Sequence, residues 1–306
     1  MISKLVSIVV PTYNRASLLK EAIESVLAQK YENFELLVLD NCSPDDTPDV
    51  VISFKDPRIK YIRHQCNIGS AANWTYGVHW TQGEYLSILG DDDKYKPNFI
   101  SNRIRAFSVA NDVVAVFSPY DICDEDGDIR GSSSIYGTES TLVRNGEFVK
   151  CAAQGFWSIG TGLYNREIVL RYWDRALRGG SSGDTALNLS ISILSHGSGV
   201  WIPERDYIYR LHDGQDTARL KERLLFSCIQ THELAMADGC PAKYRHMLRD
   251  SMAWANHVIG RMAWEQGQHK NACRYFLKEI ILNPVRFFNW LINSRKIVMA
   301  RLFGTQ

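Results

Sequence analysis

The chain has 306 residues, 45% of them apolar and 23% charged, the balance of a globular protein of one large or two small domains rather than of a disordered or fibrous chain. Thirty-five Lys and Arg against 34 Asp and Glu leave a net charge of +1. No global field therefore draws nucleic acid, and an anionic ligand must be held by a local site. Seven cysteines lie scattered without a CxxC pair, which argues against a disulfide framework or a zinc site and for a reducing cytoplasm.

The run Leu5–Val10 meets Pro11, too early for a secretory signal. No stretch reaches the roughly 18 apolar residues of a membrane span, so a soluble or at most peripheral protein is expected. The same β-branched run predicts a buried parallel strand. Leu18, Leu19, Ala22, Ile23, Val26 and Leu27 then recur at helical spacing, with Ser17 placed to cap the helix. Phe34–Leu39 reads as a second strand ending at Asp40, followed by a polar turn over 41–46 and a third strand at Ile59–Ile62. A helix is expected over Gly69–Trp80, then a strand at Tyr85–Leu89 that stops at Gly90-Asp91-Asp92-Asp93. Beyond Pro97 come a helix to about Ala110 and a strand at Val113–Phe117. Strands separated by helices predict a doubly wound α/β sheet. After about residue 120 the pattern loosens: Gly131–Thr141 and Gly179–Gly183 read as flexible stretches. From Ala218 the reading is mostly helical, with breaks at Gly239-Cys240-Pro241 and Asn283-Pro284.

In an open α/β sheet, ligands bind beyond the carboxyl ends of the strands. Asp40 and the run Asp91–Asp93 stand at two such ends. Three adjacent acids repel one another unless water or a cation screens them, and Mg²⁺ or Mn²⁺ favours one or two carboxylates plus substrate phosphates. The same run also suits a solvated acidic turn before a helix. Rival phosphate sites are weaker. The chain has no GxxxxGK[ST] loop, Gly160-Thr161-Gly162 lacks the third glycine of a dinucleotide fingerprint, and no GxSxG elbow occurs.

These residues, taken in order, carry a resemblance. Val9-Val10-Pro11-Thr12-Tyr13-Asn14-Arg15, Asp40-Asn41-Cys42-Ser43-Pro44-Asp45, Asn67-Ile68-Gly69 with Asn73, and Gly83-Glu84-Tyr85 leading to Leu89-Gly90-Asp91-Asp92-Asp93 and Pro97 resemble the family 2 glycosyltransferases of the GT-A fold. The match covers about the first 120 residues. Later, Gly183-Asp184-Thr185 is similar to the family's acidic motif at a helix start, and Tyr209 to Gln215 to a late His-x-Gly-Gln element.

The resemblance implies a GT-A fold, Rossmann-like, with a mostly parallel central sheet flanked by helices and a mainly helical C-terminal region. The expected division is a catalytic domain over 1–215, with a nucleotide-sugar half to about 120 and an acceptor half beyond it, and helices over 216–306. It implies an inverting, non-processive transfer from a nucleotide-sugar, UDP-linked by preference, to a glycan or lipid-linked saccharide in bacterial surface polysaccharide synthesis. Pro11, Thr12 and Tyr13 would line the nucleotide pocket, Asp40 would accept from the base, Asn67 would sit near the nucleotide and Asp91 near the ribose. Asp92 would ligate a divalent Mn²⁺ or Mg²⁺, with His212 completing the metal site or touching the diphosphate. Asp184 would be the general base, with Asp174, Asp206 and Asp213 next in line. Asp184 before Thr185 also fits a helix cap, and His212 an ordinary histidine.

Two departures from the family pattern stand out. Asn41 replaces a frequent second acid, and Gly90 stands where the first acid of a DxD motif is common. They keep open a member that binds nucleotide-sugar without turnover. A nucleotidyltransferase is the other alternative, although the glycine-rich basic loop it needs is replaced by Pro11-Thr12-Tyr13-Asn14. No QxxRW motif occurs, which argues against processive polymerisation. From Ile280 onward there is no acid; Arg286, Arg295, Lys296 and Arg301 accompany Phe287, Phe288, Trp290, Leu291, Ile292, Ile297, Val298, Leu302 and Phe303. This composition suits a peripheral helix at the anionic inner face of a plasma membrane, and equally a helix packed on the body or on a partner.

Overall fold

The apolar runs of the first half become strands covered on both faces. In the computed structural model, which describes residues 3–153, 158–215 and 221–290, β1 (Val6–Thr12) and β2 (Phe34–Asp40) are buried along their whole length. They pair in parallel, with Thr12 opposite Asp40. β3 (Ile59–Arg63) extends the sheet beyond β2 and sets Arg63 opposite Asp40. β4 (Tyr85–Ile88) lies on the other side of β1. Three polar strand ends thus meet along one edge because the registers align.

Helix α1 (Ala16–Leu27) buries Leu19, Ala22, Ile23 and Val26, the face anticipated from periodicity. It does not begin at a Ser17 cap. The Asp45 carboxylate, from the turn after β2, accepts from the Ala16 amide at 2.9 Å, so a neighbouring loop supplies the acceptor that a local serine was expected to provide. After α2 (Thr47–Ser53), α3 (Ser70–Trp80) meets the sheet at Gly77. A Cβ there would fall 2.0 Å from Leu39 Cδ1 and 2.8 Å from Val9 Cγ1. The close approach of helix and sheet requires glycine at this point.

Beyond β4 come β5 (Lys94–Tyr95), α4 (Phe99–Phe107), β6 (Val113–Phe117), β7 (Asp121–Cys123), β8 (Ile129–Ser132), β9 (Thr141–Val143), α5 (Asn145–Ala153), β10 (Leu163–Asn165), α6 (Arg166–Arg178), α7 (Gly183–Leu194), β11 (Ser198–Trp201) and β12 (Tyr207–Arg210). The main sheet runs β3-β2-β1-β4-β10-β6-β11-β9, and a small sheet runs β5-β12-β7-β8. β10 enters antiparallel between β4 and β6, so the sheet is parallel at one end and mixed at the other. Two stretches expected to be flexible are ordered in part. Residues 129–132 form the exposed edge strand β8, and Gly180–Ser182 form a 3-10 turn followed directly by α7. A Cβ at Gly183 would lie 2.7 Å from the Ala176 carbonyl oxygen, which is why α7 starts on a glycine.

The chain falls into two compact units, Met1–Arg178 with Gly183–Asp216, and Gly179–Ser182 with Thr217–Gln306. The second contains α8 (Lys221–Ala237), α9 (Arg245–Glu265) and α10 (His269–Leu282), then a helical stretch over 284–290. Ala255 and Ile259 of α9 and Leu225 of α8 share an apolar cluster, and Gly260 lets the Phe276 ring of α10 approach α9. Within this unit Ser227 ties down the 3-10 turn by accepting from the Ser182 amide at 2.9 Å. The break between α9 and α10 falls at Gly267, whose φ of +76° suits only glycine; the sequence reading did not anticipate it. Arg295, Lys296 and Arg301, named above, lie outside the described residues. No helix among the described residues is long and apolar enough to cross a membrane.

Candidate active site

The loops after β1, β2 and β4 supply the polar groups. Thr12, last in β1, donates its hydroxyl to Asp91 Oδ2 at 2.7 Å. Arg15, directly after the left-handed Asn14 (φ +57°), turns back over the same acids. Its Nη1 donates to Asp91 Oδ1 and to Asp92 Oδ2, each at 2.9 Å, and its Nη2 donates to the Gly214 carbonyl at 2.9 Å. His212 Nε2 lies 3.0 Å from Asp92 Oδ2. Four of the residues singled out from sequence (Thr12, Asp91, Asp92 and His212) therefore meet around one guanidinium.

The acidic turn is divided by function. Asp93 is buried and turned away from the loops. It accepts from the Tyr207 hydroxyl, and from the Arg210 amide at 2.9 Å. Arg210 in turn donates to the Asp92 carbonyl at 3.1 Å and to Glu21 at 2.6 Å. Burial, reinforced by the Asp92 charge, pushes the Asp93 carboxyl up to about 8. Burial also pushes Asp91 up to about 6 against the pull of Arg15. Gly90 is explained by the same turn. A Cβ there would come within 2.8 Å of oxygens on both Asp92 and Asp93, so an acid at this position would crowd the two that follow.

Asp40 is fully buried. Its Oδ1 accepts from the Ser43 amide at 2.7 Å, its Oδ2 from the Tyr61 hydroxyl at 2.7 Å, and Arg63 Nε approaches Oδ2 at 3.3 Å. Burial and the Asp40 contact push the Tyr61 phenol well above its ordinary value, so Tyr61 stays a donor. Asn41 bridges this loop to the next, donating to Asn67 Oδ1 at 3.0 Å and accepting from the Ile68 amide at 2.8 Å. An amide both donates and accepts where an acid could only accept, which accounts for Asn41. Ser43 Oγ accepts from the Asn14 amide at 3.0 Å, joining the loops after β1 and β2. Pro11 is buried in β1, whereas Tyr13 is 46% exposed.

Asp184 stands apart. It sits in the first turn of α7, partly buried, where its Oδ1 accepts from the Thr185 amide at 2.7 Å. No hydrogen bond or ion pair among the described residues links it to the Arg15 cluster. Burial raises its pKa above the ordinary value, the direction that makes a carboxylate a better base at neutral pH. Asp206 accepts from Asn102 at 2.8 Å and lies 3.5 Å from Arg103, a structural engagement. Sequence reasoning gave no role to Arg15, Tyr61, Arg63 or Arg210. The one available signal was charge: an acidic run of three needs cations nearby.

A divalent ion fits the donor set. Asp92 Oδ2 and His212 Nε2 lie 3.0 Å apart, a carboxylate oxygen and an imidazole nitrogen near enough to share one ion. Hard cations of this size are commonly held by one or two side chains, with substrate phosphates completing the shell. Among the described residues no three His, Cys, Asp or Glu side chains gather around one point, so the protein alone offers a partial shell.

A family profile, Glycosyl transferase family 2, matches residues 7–172. An uncharacterized glycosyltransferase of Rickettsia typhi is 39% identical over 124 residues, 40% of this chain and 38% of that one. WcaA of Escherichia coli, provisionally named as a colanic acid biosynthesis glycosyl transferase, is 38% identical over 120 residues, 36% of this chain and 43% of that one. The chain thus matches less than half the length of either relative. Among solved structures, Staphylococcus aureus TarS 1–349 in complex with UDP-GlcNAc superposes with a TM-score of 0.68 at 16% identity, over 90% of this chain and 81% of that one. A mannosyltransferase of Pyrobaculum calidifontis with GDP-Man and Mn²⁺ gives 0.60 at 16% identity, over 96% and 80%. The structural likenesses fix the fold as GT-A, and the profile spans more than half of the chain: it belongs to glycosyl transferase family 2.

Proposed function

We propose that this chain transfers a sugar from a nucleoside-diphosphate sugar, UDP-linked by preference, to a hydroxyl of a saccharide or lipid-linked acceptor, with inversion and with a divalent metal. The observation that carries the reading is the meeting of Thr12, Asp91, Asp92 and His212 around Arg15 at the carboxyl ends of parallel strands, where open α/β sheets bind ligands. Asp40, held rigid by Ser43 and Tyr61, takes the N3–H of the base, and Asn67 positions the loop beside it. Pro11 and Tyr13 flank the nucleotide, and Asp91 faces the ribose. Arg15 and His212 offer cationic and hydrogen-bonding partners to the diphosphate. A divalent ion on Asp92 and His212 would neutralise the charge that builds on the departing diphosphate. Asp184 takes the proton of the acceptor hydroxyl as it attacks the anomeric carbon; the glycosyl–oxygen bond to the diphosphate breaks in the same displacement, so no covalent enzyme intermediate forms. Relatives named for polysaccharide synthesis support a bacterial surface glycan as the product.

The test is nucleotide release from a panel of UDP-, GDP- and dTDP-sugars with saccharide acceptors, with Mn²⁺ or with EDTA. Release is expected only with metal; equal turnover in EDTA removes the metal from the reading. Asp184→Asn should lower transfer by about 10²–10⁴ while nucleotide affinity holds within a few-fold. Asp92→Asn should weaken both together. Should Asp184→Asn turn over normally, that residue is a helix-start carboxylate and the base lies elsewhere.

A further inference from the structure

On α10 the exposed side chains Lys270, Arg274, Leu277, Lys278 and Ile281 fall within an arc of about 100° when successive residues turn by about 100°. The buried Ala272 and Glu279 lie on the opposite side. The exposed face is thus apolar and cationic at once: Leu277 is 57% and Ile281 73% exposed, and Val285 and Phe288 on the stretch that follows are 67% and 54% exposed. From Gln266 to Trp290 the only acid is Glu279. It is fully buried and turned to His257 Nδ1 at 2.9 Å. Asp250 of α9 touches the turn, where it accepts from Asn283. Among the described residues no carboxylate pairs with Lys270, Arg274 or Lys278.

We propose that this face docks on an anionic phospholipid bilayer, with α10 lying in the interfacial plane. Large apolar side chains standing in water beside cations that no described carboxylate meets, Lys278 resting only over the Tyr275 ring, are explained by a surface that is both hydrocarbon and anionic. A second copy of the chain matches poorly, because two-fold self-pairing would set three cations against three cations. A nucleic acid would satisfy the cations and leave Leu277, Ile281 and Val285 in water. α10 does not span: its 14 residues cover about 21 Å, less than the roughly 30 Å hydrocarbon core. The inference is independent of the transfer reaction, since docking is read without donor or acceptor.

The experiment is flotation of the full chain with vesicles of phosphatidylcholine alone or doped with phosphatidylglycerol. Binding is expected to the doped vesicles only, and to weaken with salt. Combined replacement Lys270→Gln, Arg274→Gln and Lys278→Gln should lower the partition on the order of 100-fold, at about fivefold per cation. Ile281→Asp alone should lower it about tenfold or more. All four positions are exposed, and an unchanged helical circular dichroism melt shows that the fold survives. The proposal is overturned by equal binding to neutral vesicles, by no binding to doped ones, or by variants that bind as well as the parent. It also fails if the substitutions split a dimer, or abolish capture of single-stranded RNA, without changing flotation.

Discussion

The sheet-bearing unit and the helical unit treat buried polar groups in opposite ways. In the first, Glu35, Asp40, Asp91, Asp93, Arg103 and Arg210 are all buried, and each is met by named partners. In the second, Thr231, His232, Asn256 and Glu279 are buried with one side-chain atom apiece lacking a partner among the described residues. Among the described residues the sheet-bearing unit has one such atom, Glu204 Oε2. An unmet buried polar atom costs about 1–3 kcal/mol, whereas a met one is close to neutral or favourable. The polar interior of the first unit is therefore part of what holds it together. The second owes its cohesion to apolar and aromatic contacts such as Phe276 against Trp290 and Phe287.

The contrast is broken most severely at Arg103. Its side chain is fully buried, donating to the Thr161 carbonyl at 3.0 Å and to Ser118 Oγ at 2.6 Å, with Asp206 at 3.5 Å and the Phe99 ring 3.5 Å away. Burial pulls its pKa down to about 10, still charged at neutral pH. Arg103→Ala removes the guanidinium beside Asp206, leaving that buried carboxylate the Asn102 amide, and should cost about 3–5 kcal/mol, read as a lower urea midpoint. A loss below about 1 kcal/mol would mean that the polar interior is incidental.

A smaller effect is expected at Glu35, which joins three strands and a turn. It accepts from Ser7 at 2.5 Å, from the Gln82 amide at 2.7 Å and from Lys60 at 2.6 Å. Burial works to raise its pKa, but these bonds outweigh it and hold the carboxyl below its ordinary value of 4.5. A carboxyl depressed in the folded state contributes stability that is fully present above the unfolded value and disappears as pH falls through the folded one. Glu35→Gln should therefore cost about 1–3 kcal/mol near pH 7. The gap to the parent should close as pH drops below 4.5; a constant gap across that range would show that ionisation contributes nothing.

The smallest effect should have the opposite sign. Thr231 is 1% exposed and, among the described residues, its hydroxyl has no partner. Thr231→Val keeps the shape and removes the unmet group, so the thermal midpoint should rise, by an amount equivalent to about 1 kcal/mol. A fall would place an unseen partner on that hydroxyl and erase the contrast between the units.

The same comparison explains what could be read from sequence. β1 and β2 were legible because strands covered on both faces are continuous apolar runs. Asp40 and the Asp91–Asp93 turn were legible because they terminate such runs. The small sheet was not, since β5 and β7 have two and three residues and carry no periodicity. The insertion of β10 between β4 and β6 depends on partners far away in the chain. Arg15 was quoted within a motif without a role, because the acceptors that place it over the acids and Gly214 lie between 76 and 199 residues away. The cap of α1 was assigned to Ser17 when Asp45, from another loop, supplies it.

The long reach of the Arg15 cluster has a consequence for synthesis. Asp92 and His212 are separated by 120 positions, which a ribosome translating at about 5–20 residues per second covers in about 6–24 s. During that interval the residues of β1 to β4, Arg15 and the acidic turn have already been made. The tyrosine and arginine that bury Asp93 have yet to be made, as has the imidazole beside Asp92. A nascent chain halted before Tyr207 would carry the acids of the motif without the partners that separate their roles, so the cluster is completed by one of the last strands of its unit to emerge.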